Sequence, residues 1–279
     1  MAQLLDGRAL ADRIRQKVKQ MVAALPSKPG MAAILVGDDP ASHLYVSLKE
    51  KACAEAGIYF EKFIFDANVS EADLMQKVEE LNQRTEINGI LVQLPLPTQN
   101  PDPIIAAIDP NKDIDGFHKT SLERLEAGKP GLVSPVALGV MKLLDSAFGD
   151  QQRHAKRAIL VCSEFFARPL IALLREQGIE SEIVSPDATD LVTKTKQADV
   201  MIVAIGRPKF ISGSQLKSGA IIIDVGTTKT LEGLMGDVDF EAASTVASAI
   251  TPVPGGVGPT TVAMLMMNVV KAYQLSLKQ

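Results

Sequence analysis

The chain has 279 residues, of which 46% are hydrophobic and 22% are charged, and its formal net charge is −4. This length suffices for two domains with separate cores, and the weak negative charge argues against a nucleic-acid-binding surface or a polybasic membrane face. The two cysteines suggest no disulfide framework. The first residues lack an apolar signal core, and no apolar run approaches the length of a membrane span. We therefore expect a cytoplasmic protein that binds neither nucleic acid nor membrane.

The first half of the chain alternates between predicted helices and strands. Apolar residues at helical spacing predict a helix over residues 6–25, and the apolar run 31–37 predicts a buried strand. The elements predicted after it are a helix from Pro40 to just before Gly57, a strand over 58–65, a helix that begins after Ser70, and a strand over 88–94. Such alternation is typical of a parallel sheet covered by helices.

A second alternation begins at about residue 134. Ser134 and Pro135 are typical of the N-cap and first turn of a helix, which we expect to end near Phe148. The later predicted elements are a strand from 157, a helix over 166–177, a strand over 179–184, a helix over 189–197, strands over 199–205 and 220–226, and a long C-terminal helix. This pattern predicts a doubly wound parallel sheet.

Four residues of the first half are candidates for chemistry. Tyr45 and Lys49 are four residues apart on a predicted helix, so their side chains share one face. Gln93 follows a predicted parallel strand, where open α/β sheets place ligands, and Asp115 lies near Asp113 in a glycine-containing loop. Each has a simpler explanation when taken alone: a solvated lysine beside a half-buried tyrosine, a strand-end amide, and turn acids.

The segment 250–261 contains three prolines and three glycines before the last predicted helix. Close backbone approach there suits a flat ligand or a phosphate, and a connector between domains is the alternative. The three histidines, His43, His118 and His154, match no metal-ligand spacing, so we expect no metal site.

Seven segments in order together resemble the methylenetetrahydrofolate dehydrogenase/methenyltetrahydrofolate cyclohydrolase family. They are GDDPASHLYVSLKEKACAEAGI, GILVQLPLP, NKDIDGFH, ADVMIVAIGRPKFI, GAIIIDVG, GDVDF and TPVPGGVGPTTVAML. The resemblance implies an α/β fold with a three-layer, folate-binding catalytic domain at residues 1–130, completed by the C-terminal helix at 260–279. It implies a Rossmann-like cofactor domain at residues 131–259.

The resemblance also implies an activity in folate one-carbon metabolism. The family oxidises 5,10-methylenetetrahydrofolate to the 5,10-methenyl cation, usually with NADP, and hydrolyses that cation to 10-formyltetrahydrofolate in the same cleft. Lys49 then corresponds to the catalytic lysine and Gln93 to its partner. Tyr45 would stack on the pterin, and Asp115 would hold the pterin ring. The substrate-binding residues that the resemblance implies are Ser42, Tyr45, Pro95, Asp115, Pro254, Gly255 and Gly256.

The first turn of the cofactor half departs from the family pattern. Family members have Gly-Arg-Ser-x-x-Val-Gly-x-Pro at this turn. The residues at the matching positions here are Val161, Cys162, Ser163, Phe166, Ala167 and Pro169. Both glycines and the arginine are therefore absent, and the carboxylate of Glu164 lies where N–H groups would face a diphosphate.

Two further departures lie in the cofactor half. Ser185, Pro186 and Asp187 stand where the family has Cys-His-Ser-x-Thr, whose serine helps to bind the adenosine 2′-phosphate, and residues 134–137 replace Pro-Cys-Thr-Pro near the nicotinamide. We therefore expect NADP to bind weakly or not at all. NAD is less disfavoured, since Asp187 lies near where NAD-using folds place an acid on the ribose. The cofactor-binding residues that remain are Ser163, Arg168, Pro169, Gly206 and Thr227.

Two hypotheses of different classes remain open from the sequence. In the first, the chain is an enzyme of this family, with an intact cyclohydrolase half and an altered dehydrogenase half. In the second, it is a catalytically degenerate folate-binding homologue or a partner subunit. The retention of Tyr45, Lys49, Gln93 and Asp115 favours the enzyme, and the resemblance implies a homodimer that docks through the cofactor domain.

Overall fold

The chain forms two compact α/β units in the computed structural model, which describes residues 2–150 and 153–277. One, the three-stranded unit, comprises residues 12–135 and 262–279, and the other, the six-stranded unit, comprises residues 1–11 and 136–261. Neither unit is a single continuous segment of the chain.

The predicted helices and strands are present, and the structure adds several short elements that the sequence does not predict. The strands are β1 (Gln3–Leu4), β2 (Gly30–Val36), β3 (Tyr59–Phe65), β4 (Gly89–Val92), β5 (Arg157–Cys162), β6 (Glu180–Ile183), β7 (Val200–Ala204), β8 (Ile221–Asp224), β9 (Thr228–Thr230), β10 (Gly233–Met235) and β11 (Ala249–Ile250). The helices are α1 (Gly7–Ala23), α2 (Pro40–Ala56), α3 (Glu71–Gln83), α4 (Pro101–Ala106), α5 (Lys119–Glu126), α6 (Pro135–Phe148), α7 (Glu164–Glu176), α8 (Leu191–Thr195), α9 (Phe240–Ser244) and α10 (Val257–Ser276).

The three-stranded unit is built on the parallel sheet β3-β2-β4. All seven residues of β2 are buried, because helices cover both faces of this central strand. The side chains of one face pack with α1, α2 and α10, and those of the other face pack with α3 and α4. The predicted three-layer architecture is therefore confirmed.

Helix α2 begins and ends where its local sequence predicts. The side chain of Asp39 accepts a hydrogen bond from the backbone N–H of Ser42 at 2.8 Å, and Pro40 occupies the first turn. Gly57 ends the helix with a φ of 79°, which a residue with a Cβ adopts at a cost. These caps fix the helix that contains Tyr45 and Lys49.

The six-stranded unit is a parallel sheet in the order β1-β11-β8-β7-β5-β6, with an added antiparallel hairpin, β9-β10. The doubly wound sheet is confirmed. The hairpin and the two-residue strands β1 and β11 are absent from the sequence prediction, because segments this short show no periodicity.

The buried carboxylates of Asp224 and Asp237 hold the loops at the carboxyl end of this sheet together by accepting backbone hydrogen bonds. The carboxylate of Asp224 accepts hydrogen bonds from the backbone N–H groups of Gly226, Asp237 and Val238 at 2.9, 3.1 and 2.9 Å. The carboxylate of Asp237 accepts from the N–H groups of Ile205 and Gly206 at 2.7 and 3.0 Å. Burial, opposed by these N–H donors and reinforced by Asp237, raises the pKa of Asp224 to about 7.

The raised pKa of Asp224 predicts how folding stability changes with pH. The folded chain binds this proton more tightly than the unfolded chain, whose carboxyl has its ordinary pKa of 3.8. The stabilisation is therefore complete below about pH 4 and is lost as the pH rises through about 7. We expect Asp224→Asn to flatten the pH dependence of the thermal unfolding midpoint over this range. The exposed substitution Glu232→Gln is the control, and an Asp224→Asn protein with the parent slope would contradict the assignment.

Candidate functional site

The amine of Lys49 meets the side chain of Gln93 at the carboxyl edge of the three-stranded sheet. Helix α2 follows β2, Gln93 follows β4, and these strands are parallel neighbours, so both residues lie at the same edge. The Nζ of Lys49 donates to the Oε1 of Gln93 at 2.8 Å. Gln93 is itself fixed, since its backbone N–H donates to the carbonyl of Ile34 at 2.8 Å and its Nε2 donates to that of Leu94 at 2.6 Å.

Burial and a nearby acid act in opposite directions on Lys49. Its side chain is half-buried, and desolvation lowers its pKa below the ordinary value of 10.5, while the charge of Asp115 raises it. For Asp115, burial raises the pKa to about 6, the charge of Lys49 lowers it, and Asp113 adds a smaller upward effect. The site therefore holds an amine and a carboxyl whose proton affinities are both moved toward neutral pH.

Asp113 and Asp115 have different roles in their loop. The carboxylate of Asp113, which is 1% exposed, accepts from the backbone N–H groups of Gly116 and His118 at 3.1 and 2.9 Å. It also accepts from the hydroxyl of Ser121 at 2.9 Å. Asp113 thus stabilises the loop that presents Asp115.

Tyr45 lies one helical turn before Lys49 on α2 and is 41% exposed. Two leucines on the same helix, Leu44 and Leu48, are also exposed, at 57% and 46%. Together these side chains form an apolar surface beside the amine. The leucines were not among the predicted site residues, because a leucine at helical spacing is normally assigned to the core.

The remaining predicted substrate-binding residues lie at the start of α2, just after β4 and in the segment before α10. Ser42 is buried and its N–H is used by the cap of α2, and Pro95 follows a cis peptide bond directly after Leu94. Pro254, Gly255 and Gly256 belong to the six-stranded unit, and their action together with Lys49 stays a prediction.

Two glycines of the segment 250–261 lie where the backbone leaves no room for a Cβ or has a positive φ. Gly255 has a φ of 117°. A Cβ on Gly7, at the start of α1, would lie 1.8 Å from the carbonyl oxygen of Gly256, and a Cβ on Gly256 would lie 2.7 Å from that of Pro252. The predicted close backbone approach is therefore present, and within this unit the approaching group is the chain itself.

The chain is similar to known proteins along almost its whole length. The family model for the catalytic domain of tetrahydrofolate dehydrogenase/cyclohydrolase matches residues 5–115, and the model for its NAD(P)-binding domain matches residues 134–277. The bifunctional protein FolD of Bordetella avium is 44% identical over an alignment of 281 positions, which covers 99% of each chain. That of Bordetella petrii is 46% identical over an alignment of 278 positions, which covers 98% of this chain and 94% of the relative.

The chain belongs to the tetrahydrofolate dehydrogenase/cyclohydrolase family. Its fold is also similar to solved structures of the family. The bifunctional FolD enzyme of Campylobacter jejuni superposes with a TM-score of 0.94 at 39% identity over 99% of both chains. The Trypanosoma brucei enzyme, solved with NADP cofactor and inhibitor, has a TM-score of 0.94 at 32% identity over 100% of this chain and 99% of that one.

The turn after β5 in the NAD(P)-binding domain is unusually short. Helix α7 begins at Glu164 rather than at the predicted residue 166, so only Ser163 separates it from β5. The hydroxyl of Ser163 accepts from the N–H of Phe166 at 3.3 Å, which uses one of the first-turn donors. Val161 and Ala167, at the positions of the family glycines, are fully buried. The carboxylate of Glu164 in the first turn stabilises the helix and repels an anion there.

The other predicted cofactor-binding residues lie after β7, after β8 and on α7. Gly206 follows β7 with a φ of 68°, and its N–H is bound by Asp237. Thr227 is exposed after β8, Pro169 is buried inside α7, and Arg168 is exposed on that helix. Whether they bind a dinucleotide remains a prediction.

Within residues 2–150 and 153–277, no three His, Cys, Asp or Glu side chains are grouped so that they could hold a metal ion. In the same ranges, no helix combines the length and apolar character needed to cross a membrane.

The opposed charges at Lys49 and Asp115 predict reciprocal changes in pKa. Asp115→Asn removes the charge that favours the ammonium, so the pKa of Lys49 should fall further below 10.5. Lys49→Met should raise the pKa of Asp115 above about 6. Both values can be measured by ¹³C NMR of the labelled side chains. The exposed Asp66→Asn is the control, and a Lys49 pKa that is unchanged by Asp115→Asn would contradict the coupling.

Proposed function

We propose that this chain interconverts 5,10-methylene-, 5,10-methenyl- and 10-formyltetrahydrofolate, and that Lys49 performs the hydrolysis of the methenyl cation. The observation that supports this most directly is the hydrogen bond of 2.8 Å between Lys49 Nζ and Gln93 Oε1, made by a half-buried lysine with a lowered pKa. The full-length relatives are named as bifunctional proteins, and nothing in them favours a degenerate folate-binding homologue or a partner subunit.

The hydrolysis needs one group that accepts a proton and then returns it. Water attacks the carbon between N5 and N10 as neutral Lys49 accepts a water proton, which gives a neutral hydroxyl adduct. The ammonium of Lys49 then protonates N5, the carbon–N5 bond breaks, and the hydroxyl proton leaves as the formyl C=O forms on N10. One proton is released overall. A lysine with a lowered pKa suits both steps near neutral pH.

The neighbours of Lys49 position the substrate. Gln93 accepts from the amine and so fixes the direction of its remaining N–H bonds or lone pair. Tyr45 offers an exposed ring face to the planar pterin. Asp115 would accept from the amino and ring N–H groups of the pterin. Ser42 and Pro95 would border this site, and the Pro254–Gly256 loop would lie against the folate and nicotinamide.

The residues at the dinucleotide turn do not fit NADP well. The turn places a carboxylate in the first turn of α7, uses the Phe166 N–H internally, and offers no arginine at Cys162 for a 2′-phosphate. We propose that NADP binds weakly or not at all and that NAD is the better ligand, held by Ser163, Arg168, Gly206 and Thr227 with Pro169 behind them. The chemistry of hydride acceptance belongs to the nicotinamide.

We also propose an oligomeric state and a cellular compartment for the protein. The family resemblance supports a homodimer that docks through the cofactor domain. Cys53 and Cys162 are free thiols, which supports a reducing compartment such as the cytoplasm.

Lys49→Met tests the hydrolytic role directly. Methionine keeps much of the side-chain volume but cannot transfer a proton, so hydrolysis of the methenyl compound should fall roughly 10²–10⁴-fold while folate still binds. The loss of the methenyl absorbance gives the rate, and fluorescence titration gives the affinity.

The control for this variant is Lys51→Met, because Lys51 is exposed on the same helix and pairs with Glu55. It should leave the rate unchanged. Hydrolysis by the Lys49→Met protein at near the parent rate would refute the assignment.

Glu164→Gln tests the electrostatics of the dinucleotide turn. Removal of this negative charge should tighten NAD and NADP binding to the same extent, by roughly 2–10-fold, because both share the diphosphate. Calorimetric titration at low salt measures both constants, and Glu176→Gln at the opposite end of α7 is the control. Micromolar NADP binding by the parent chain would contradict the proposal of weak binding.

A further inference from the structure

An ion pair joins the loops that follow β6 and β7. Arg207 donates from Nη1 to Oδ1 of Asp187 at 2.7 Å and from Nη2 to Oδ2 at 3.1 Å, so the pair is bidentate. Because β6 and β7 lie on opposite sides of β5 in the sheet, the pair spans the carboxyl end of β5. Ser163 begins the dinucleotide turn at this point.

The pair is held in place by its surroundings and remains accessible. The guanidinium of Arg207 lies 5.4 Å from the centre of the Phe210 ring, and the N–H of Asp187 donates to the hydroxyl of Ser185 at 3.3 Å. The side chains of Arg207 and Asp187 are 46% and 71% exposed. Exposed ion pairs contribute little to folding stability, so either residue can be replaced without unfolding the domain.

We propose that the Asp187–Arg207 pair binds the adenosine ribose and selects NAD over NADP. This inference rests on the proposed dehydrogenase half. A carboxylate has about four lone-pair sites, and Arg207 uses two of them. The other two can accept hydrogen bonds from the 2′ and 3′ hydroxyls of NAD.

The 2′-phosphate of NADP cannot make these hydrogen bonds and is repelled by the carboxylate. It has no hydroxyl to donate at that position, and its negative charge lies against the carboxylate of Asp187. Arg207 uses two of its five N–H donors on Asp187, and a phosphate bound by the others would still face the carboxylate that offsets the charge of the guanidinium. The basic residue at this edge is thus neutralised by its own neighbour.

Asp187→Asn tests this selection. The amide keeps the shape of the carboxylate but frees Arg207 for a phosphate. We expect the parent to bind NAD at least about fivefold more tightly than NADP by calorimetric titration. The Kd ratio of NADP to NAD should fall at least about tenfold in Asp187→Asn. The double variant Asp187→Asn, Arg207→Gln should lose the gain in NADP affinity.

The matched control is Asp190→Asn, because Asp190 is an exposed acid of the same loop region that pairs with Lys194. Its Kd ratio should equal that of the parent. An unchanged ratio in Asp187→Asn would overturn the inference, and so would the absence of binding of both dinucleotides to every variant at millimolar concentration. Methenyl hydrolysis is measured on the same samples. Its absence in the parent would contradict the proposed function, whereas normal hydrolysis with an unchanged ratio contradicts this inference alone.

Discussion

The proposed hydrolysis depends on Lys49, a half-buried lysine whose hydrogen-bond partner is the neutral side chain of Gln93. An amide oxygen satisfies one N–H of Lys49 at 2.8 Å without adding a full negative charge, so the effect of burial on the pKa is retained. A glutamate at position 93 would form an ion pair and stabilise the ammonium. The distance itself is set by the adjacency of β2 and β4, since that pairing brings α2 and Gln93 to one edge.

The sequence predicts well those features whose causes are local. Asp39, Pro40 and Gly57 each act within a few residues of the ends of α2, and the structure shows them as predicted. The buried run of β2 is also visible in the sequence, because a strand covered on both faces is apolar throughout. The contact between Lys49 and Gln93 is not local. It was expected only through the family resemblance, since periodicity does not reveal which strands are neighbours.

The sequence alone does not predict features that depend on tertiary packing. The loss of the glycines at positions 161 and 167 is visible in the sequence, but the complete burial of Val161 and Ala167 in the core is not. The pairing of Asp187 with Arg207 requires knowledge that β6 and β7 flank β5. Leu44 and Leu48 are apolar and lie at helical spacing, which is typical of core residues, but both are exposed.

The interleaving of the two units along the chain has a consequence for biosynthesis. Strand β1 leaves the ribosome long before its partner β11, which lies at residues 249–250. The core around β2 likewise includes Leu265, Met266 and Val269 of α10. Neither sheet unit can complete its packing until nearly the whole chain has been translated. A gene fragment that ends at residue 135 would encode an open core, so the two halves of this protein cannot be separated by simple truncation.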